Sequence, residues 1–360
     1  MREVKNRIEK LKEKIAGENL DLLLVSLPAN IRYLCGYSGS NGLLLVTGDE
    51  SIFLTDFRYK EQVKKEVKGA KVKIAKRELI SFLTEIDLFK SKRIKAGFES
   101  RHLSFNQFEK LKSLLPEVLW VPTEDLVEWI RAVKEPEEIK NIKTAAEIGA
   151  RVFQDILPLI KPGVKELDIS AEIEYRSRKN GGSGSAFEPI VASGIRSAMP
   201  HARASAKRFK SGEFITFDFG ASYEGYVCDI TRTVVLGKAT SRQKKVYNLV
   251  LKAQTSAIEK ARSGMRGAEL DGIARQIIGR AGYKDYFGHG LGHGIGLVVH
   301  EYPGVGSRSQ EMLKPGMVIT IEPGIYLPGW GGVRIEDDVV ITLNGCKVLT
   351  RIDKKLLELY

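Results

Sequence analysis

The chain has 360 residues, 43% of them hydrophobic and 28% charged, a globular composition with room for two domains. Its net charge of +12 lies in lysine-rich patches such as KNRIEKLKEK and KEQVKKEVK, with glutamates interspersed and almost no aromatics. No RNA-recognition or zinc-finger pattern accompanies them, so a solvated surface is expected and nucleic acid is not an expected partner. Cys35, Cys228 and Cys346 are widely spaced without a CxxC pair, which excludes a disulfide framework and suits a reducing, cytoplasmic setting.

The first segment, MREVKNRIEKLKEKI, reads as an amphipathic helix over 2–16, and without an apolar h-region it is not read as a signal peptide. Apolar runs such as LLLV at 22–25 are too short to span a membrane, so no membrane partner is expected. Strand-like runs follow at DLLLVS, GLLLVTG, SIFLTDF, VKIAK, RIKAGFE and VLWVP, separated by helical stretches: an α/β module. The domain boundary is placed so that 1–124 form the N-terminal domain and 125–360 the second. Pro136, followed by Glu137 and Glu138, opens a long helix that should end near Lys161-Pro162-Gly163.

The second domain carries an internal echo. LIKPGVKELDISAEI (159–173) resembles ARSGMRGAELDGIARQI (261–277), each a glycine stop followed by a basic residue and a new helix. Two copies of helix, helix, strands predict a pseudo-two-fold α+β domain. The Gly/Ser-rich NGGSGSAFEPIVASG (180–194) lacks the ending of a phosphate-binding loop, leaving a flexible loop or a loop bordering a pocket.

HGLGHGIGLVVHE (289–301) holds three of the five histidines. His289 and His293 have helical i, i+4 spacing, but the glycines threaded between argue for irregular, close-packed backbone, with LVV then read as a strand. One or two of these imidazoles at most can reach one ion. FITFDFGASYEGYVCDITRTVV (214–235) reads as a β-hairpin with Asp218 and Asp229 among apolar residues, and Cys228 alternating to the opposite, core face. Glu322 in VITIEPGIY and Glu336 in GGVRIEDDVVIT add two more carboxylates in what read as apolar strands. Buried carboxylates are costly unless a cation holds them, and four would balance two divalent ions. Carboxylate-rich ligation favours a hard ion such as manganese. His102 has no visible partner and reads as structural or surface.

With these motifs in hand, the chain resembles the pita-bread metallopeptidases, which include aminopeptidase P, prolidase and methionine aminopeptidase. FDFGASYEGYVCDITRT, GHGIGLVVHE, IEPGIY and RIEDD carry the resemblance over roughly 125–355, and NIRYLCGYSGSNG and FLTDFRY extend it to the preceding domain. It implies Asp218, Asp229, His293, Glu322 and Glu336 as ligands of two divalent ions, most readily Mn2+, with Co2+ or Zn2+ as alternatives. A hydroxide held between the ions would attack the peptide carbonyl, with Glu322 handling the proton. The resemblance also implies His201 and His300 as catalytic and substrate-contacting residues, His289 near the pocket mouth, and Arg334 as a brace on the substrate side. It further implies a homodimer.

Among relatives, methionine aminopeptidases usually lack such an N-terminal domain. Creatinase and the non-catalytic binding members have replaced the ligands that are all present here. Prolidase needs a group that reads the free carboxylate of a dipeptide, and HEYPGVGSRSQ offers no cation before Arg308. The sequence reading is therefore an Xaa-Pro aminopeptidase, with an Xaa-Pro dipeptidase as the alternative.

Overall fold

The computed structural model describes residues 2–90 and 93–360, and it divides into two compact units between Arg131 and Ala132.

In the N-terminal unit the expected helix is α1 (Arg2–Gly17), and all six strand-like runs form strands. They are β1 (Leu22–Val25), β2 (Leu43–Thr47), β3 (Ser51–Asp56), β4 (Lys71–Ala75), β5 (Lys95–Glu99) and β6 (Leu119–Thr123), in the order β4-β3-β2-β1-β5-β6. The connecting helices are α2 (Pro28–Cys35), α3 (Lys60–Glu66), α4 (Leu79–Phe82) and α5 (Phe105–Leu114). β1 is central and buried along its whole length, as its unbroken LLLV predicts. Helix α6 (Leu126–Ala132) lies beyond the boundary drawn at 124/125, yet it packs with this unit. Asn30 donates to Glu128 at 2.6 Å and accepts from Arg131 at 2.6 Å. His102 does have a partner, the Ser26 hydroxyl at 3.1 Å.

The C-terminal unit repeats one design twice. α7 (Pro136–Ile156) and α8 (Glu166–Lys179) precede β7 (Gly184–Ser185), β8 (Ile190–Ser193), β9 (Phe214–Phe219), β10 (Ala221–Tyr223), β11 (Tyr226–Val227) and β12 (Ile230–Leu236). α9 (Ser241–Lys260) and α10 (Gly267–Arg280) precede β13 (Gly292–Gly294), β14 (Glu301–Val305), β15 (Val318–Ile321), β16 (Gly324–Leu327), β17 (Gly331–Arg334), β18 (Asp337–Ile341) and β19 (Cys346–Val348), and β20 (Glu358–Leu359) returns beside β12. The echo is visible at the helix starts. Lys165 N–H donates to Asp168 at 3.1 Å before α8, and Arg266 N–H donates to Glu269 at 3.1 Å before α10. The same two residues make matching isolated bridges, Lys165 with Arg208 and Arg266 with Met312.

Each helix pair has its own core. α7 buries Ile142, Ala145, Ala146, Gly149, Val152, Phe153 and Ile156, the stripe expected of helical periodicity, against Ile215, Phe217 and Phe219 of β9. α9 and α10 bury Val246, Val250, Ala253, Leu270, Ala274 and Ile278 against Ile319 and Ile321 of β15. Each fully buried aliphatic side chain of this kind contributes about 1.5–3 kcal/mol. Alternation along β9 then turns Asp218 to the face opposite Phe217 and Phe219. α7 ends at Ile156 and a short 3-10 turn, Leu157–Leu159, carries the chain on, because Pro158 has no N–H to continue the α-helical ladder.

Candidate metal centre

The hairpin expected over 214–235 is real but interrupted. β9 and β12 pair antiparallel, with Asp218 opposite Thr231 rather than opposite Asp229. Residues between them divert into a small sheet, β11-β10-β7, so Asp229 sits just before β12. Asp229 and Thr231 are two apart on one face, which makes Asp218 and Asp229 diagonal neighbours. Cys228 points the other way, is fully buried, and burial pushes its thiol well up, so it is an inert core residue.

Two expectations about the other carboxylates are corrected. Glu322 and Glu336 do not lie within strands: Glu322 follows β15, and Glu336 occupies the break between β17 and β18. At those breaks the backbone leaves its own ladder. Glu322 N–H donates to Leu291 O at 2.8 Å and Glu336 N–H to Thr231 O at 3.2 Å, which ties separate sheets together at the carboxylates. In the histidine segment the strand is β13, GHG itself, while LVV at 297–299 is not a strand. A Cβ on Gly292 would meet Thr320 O at 2.1 Å, and one on Gly294 would meet Tyr302 O at 2.1 Å. Only glycine lets β13 lie this close to its neighbours.

One cleft of about 540 Å³ is lined by Asp218, Asp229, His293, Glu322, Glu336, His201, His289, His300 and Arg334. Phe187 and Ile190 from the Gly/Ser-rich stretch and its following strand also line it, so that stretch borders a pocket.

At its base, one ligand atom each of Asp229, His293 and Glu336 lie within 4.8 Å of one another. His293 Nδ1 meets Gly294 O at 3.1 Å, which leaves Nε2 unprotonated and aimed at Glu322 (3.4 Å) and Asp229 (3.8 Å). Burial, then the nearby His300, pushes the His293 pKa down to about 4, so the ring is neutral near pH 7. With the acids ionised, His293 Nε2, Asp229 and Glu322 face one another as three acceptors. Asp229 Oδ1 and Glu336 Oε1 are buried with no hydrogen-bond partner among the described residues. Burial, reinforced by neighbouring carboxylates, pushes Asp229 and Glu336 well up, and burial pushes Glu322 up to about 8. Orphaned buried acceptors and carboxylates that resist ionisation are the chemistry a divalent cation relieves, and the residues fit one.

Around these acceptors runs a layer of which the sequence reading named only Arg334 and His289. Thr231 Oγ1 donates to Glu336 Oε2 at 2.6 Å and accepts from Arg334 Nε at 3.0 Å. Arg334 also donates to Asp218 and, at 2.8 Å, to the Tyr326 hydroxyl. Tyr326 in turn contacts His289 Nε2 at 2.9 Å, while His289 Nδ1 meets Gly290 O at 2.7 Å. Both nitrogens of His289 are therefore engaged, in contrast to His201 and His300, whose rings make no hydrogen bond among the described residues. Thr320 donates to Glu322 at 3.2 Å, and Asp338 accepts the Asp229 N–H at 3.0 Å. The available signal was weak: Thr231 shares a strand face with Asp229, but nothing local marks Tyr326 or Asp338.

With this geometry in view, the model for metallopeptidase family M24 matches residues 140–343, and that for the creatinase/prolidase N-terminal domain matches 7–133. The chain belongs to metallopeptidase family M24. It has the two-domain pita-bread architecture expected from the motifs. It is 40% identical over 357 residues to the Xaa-Pro dipeptidase of Pyrococcus furiosus, covering 98% of this chain and 100% of that one. The solved Xaa-Pro dipeptidase from Bacillus anthracis is 41% identical with a TM-score of 0.96, covering 99% and 100%. The X-Pro aminopeptidase of Thermotoga maritima MSB8 is 38% identical with a TM-score of 0.90, covering 98% and 99%. Among the described residues no helix is long and apolar enough to cross a membrane.

Proposed function

We propose that this chain is a metal-dependent Xaa-Pro dipeptidase. The observation that carries a metal-dependent hydrolase is the convergence of Asp229, His293 and Glu336 within 4.8 Å, with two orphaned carboxylate oxygens among them. The choice of dipeptidase reverses the order reached from sequence. It rests on whole-length similarity to relatives that bear that name in both sequence and structure. The lack of a cation before Arg308 in HEYPGVGSRSQ was a weak argument, because a carboxylate clamp need not come from that stretch. The aminopeptidase reading keeps support from the Thermotoga maritima structure.

In this reading Asp218, Asp229, His293, Glu322 and Glu336 hold two divalent ions, preferably manganese. Such ions polarise the scissile carbonyl and lower the pKa of water. The chain's own residues do the rest. Thr231 and Thr320 aim the Glu336 and Glu322 carboxylates, and Arg334 orients Asp218. Glu322 takes the proton from the attacking water and delivers it to the departing proline nitrogen. His300, kept neutral by burial and His201, is free to hold a proton at the reacting carbonyl, and His201 contacts the substrate. His289 supports Tyr326 and Arg334 rather than the substrate. A homodimer and a cytoplasmic setting belong to the same reading.

The test is hydrolysis of Gly-Pro and Arg-Pro-Pro side by side, on protein stripped of metal and refilled with manganese. Cleavage of Gly-Pro alone supports the dipeptidase. Cleavage of Arg-Pro-Pro restores the aminopeptidase, and cleavage of neither overturns both.

A further inference from the structure

We propose that Glu166, which does not line the cleft, is a positioning residue that fixes the loop carrying His201. The proposal rests on the peptidase reading of the cleft. Glu166 is the first residue of α8 and is wholly buried, 0% exposed. A carboxylate in that position is tolerated only if its oxygens are fully used. Here they are. One oxygen accepts from Ser193 N–H at 2.8 Å and Ser193 Oγ at 2.9 Å. The other accepts from Arg196 Nε at 3.0 Å, Ser205 N–H at 3.1 Å and Ser205 Oγ at 2.7 Å.

The serine donors flank the segment 194–204 at its two roots, and Arg196 is its third residue. Ser193 ends β8, and Ser205 follows the segment. Arg196 closes the base a second time by donating to Arg203 O at 2.5 Å. The far side is tied to β17: Gly332 N–H donates to Ser197 Oγ at 2.9 Å, and Arg334 donates to Pro200 O at 3.3 Å. His201 adjoins Pro200, and both line the cleft. The His201 ring itself has no hydrogen bond among the described residues, so its place is set by backbone held at these two ends. Glu166 acts at one end and Arg334 at the other.

Glu166→Gln tests this with almost no change of shape. The amide –NH2 would face donors at one of the two oxygens, leaving at least one backbone N–H unpaired even where a serine hydroxyl turns to accept. The experiment compares wild type, Glu166→Gln, His201→Ala and the double variant, all manganese-loaded, on Gly-Pro. Hydrogen exchange over 194–205 and thermal melting are measured on the same preparations. Glu166→Gln is expected to lower kcat/KM roughly 10–100-fold. The double variant should be no worse than His201→Ala alone. Amides of 194–205 should exchange faster while those of α9 do not change. Losses that multiply in the double variant, or unchanged exchange in 194–205, would overturn the proposal. If Glu166→Gln does not fold, Ser205→Ala removes a single hydroxyl donor and should show the same pattern at roughly 3–10-fold. If wild type cleaves no Xaa-Pro peptide, the peptidase reading fails, and the exchange comparison alone still decides whether Glu166 holds the loop.

Discussion

The Arg334 guanidinium is hydrogen-bonded to the Asp218 carboxylate across the cleft wall. The same planar group reaches Thr231 at 3.0 Å through Nε and Tyr326 at 2.8 Å through Nη1. One cation from β17 therefore sets the direction of a carboxylate on β9. A lysine keeps the charge but not the fork. Arg334→Lys is expected to lower kcat/KM roughly 10–100-fold, as removal of a group orienting a ligand does. Wild-type kinetics in that variant would show that charge alone suffices.

Asp229 has one oxygen orphaned and the other facing His293 Nε2 at 3.8 Å. Asp229→Asn should reduce bound divalent ion, read by elemental mass spectrometry, and lower activity by about 100-fold or more. The metal-stripped variant should melt no lower than the stripped wild type, because one of several mutually repelling buried carboxylates has been neutralised. Retention of full metal content would remove Asp229 from the ligand set.

Stability of the metal-free protein should depend on pH with a sign that changes with the window. Burial pushes His289 and His293 from 6.5 down to about 4. Between those values the unfolded chain binds more protons, so these residues make stability rise with pH. Burial pushes Glu322 from 4.5 up to about 8. Between those values the folded chain binds more protons, so Glu322 makes stability fall as pH rises, and Asp229 and Glu336 act in the same sense. The unfolded histidines are still half protonated at pH 6.5 and lose the rest over about one further pH unit, above which only the fall remains. As pH rises from about 7.5 toward 8 the unfolding free energy should decline by at most about 1.4 kcal/mol per pH unit per proton. Saturating manganese should abolish the decline. Denaturant unfolding at several pH values checks this, and a flat profile in stripped protein would contradict it.

The Tyr326 hydroxyl stands between Arg334 and His289. Tyr326→Phe leaves two largely buried polar groups each short of a partner, at a cost of about 1–3 kcal/mol. Urea unfolding should report that loss with an unchanged slope. A variant as stable as wild type would show that solvent replaces the hydroxyl.

Much of this protein was legible in its chain. Short apolar runs bounded by turn residues marked every strand of the N-terminal sheet, and the unbroken LLLV of β1 is what a strand covered on both faces requires. The repeat of 159–173 at 261–277 exposed the pseudo-two-fold, because helix starts are local events: Lys165 with Asp168, and Arg266 with Glu269, are three residues apart. Residue types alone nominated Asp218, Asp229, Glu322 and Glu336, since carboxylates among apolar neighbours are conspicuous in one dimension, whereas the choice of His293 among the histidines came from the resemblance to the pita-bread metallopeptidases.

What surrounds those carboxylates was decided only in three dimensions. Thr231 is 105 residues from Glu336, Arg334 is 116 from Asp218, and Asp229 is 109 from Asp338. No periodicity links such pairs, and a threonine or tyrosine in an apolar strand looks like any other until its partner is folded against it. The strand breaks at Glu322 and Glu336 were hidden for the same reason. A backbone N–H that leaves its ladder for Leu291 O or Thr231 O does so because another sheet lies there, and apolar sequence on either side carries no trace of it.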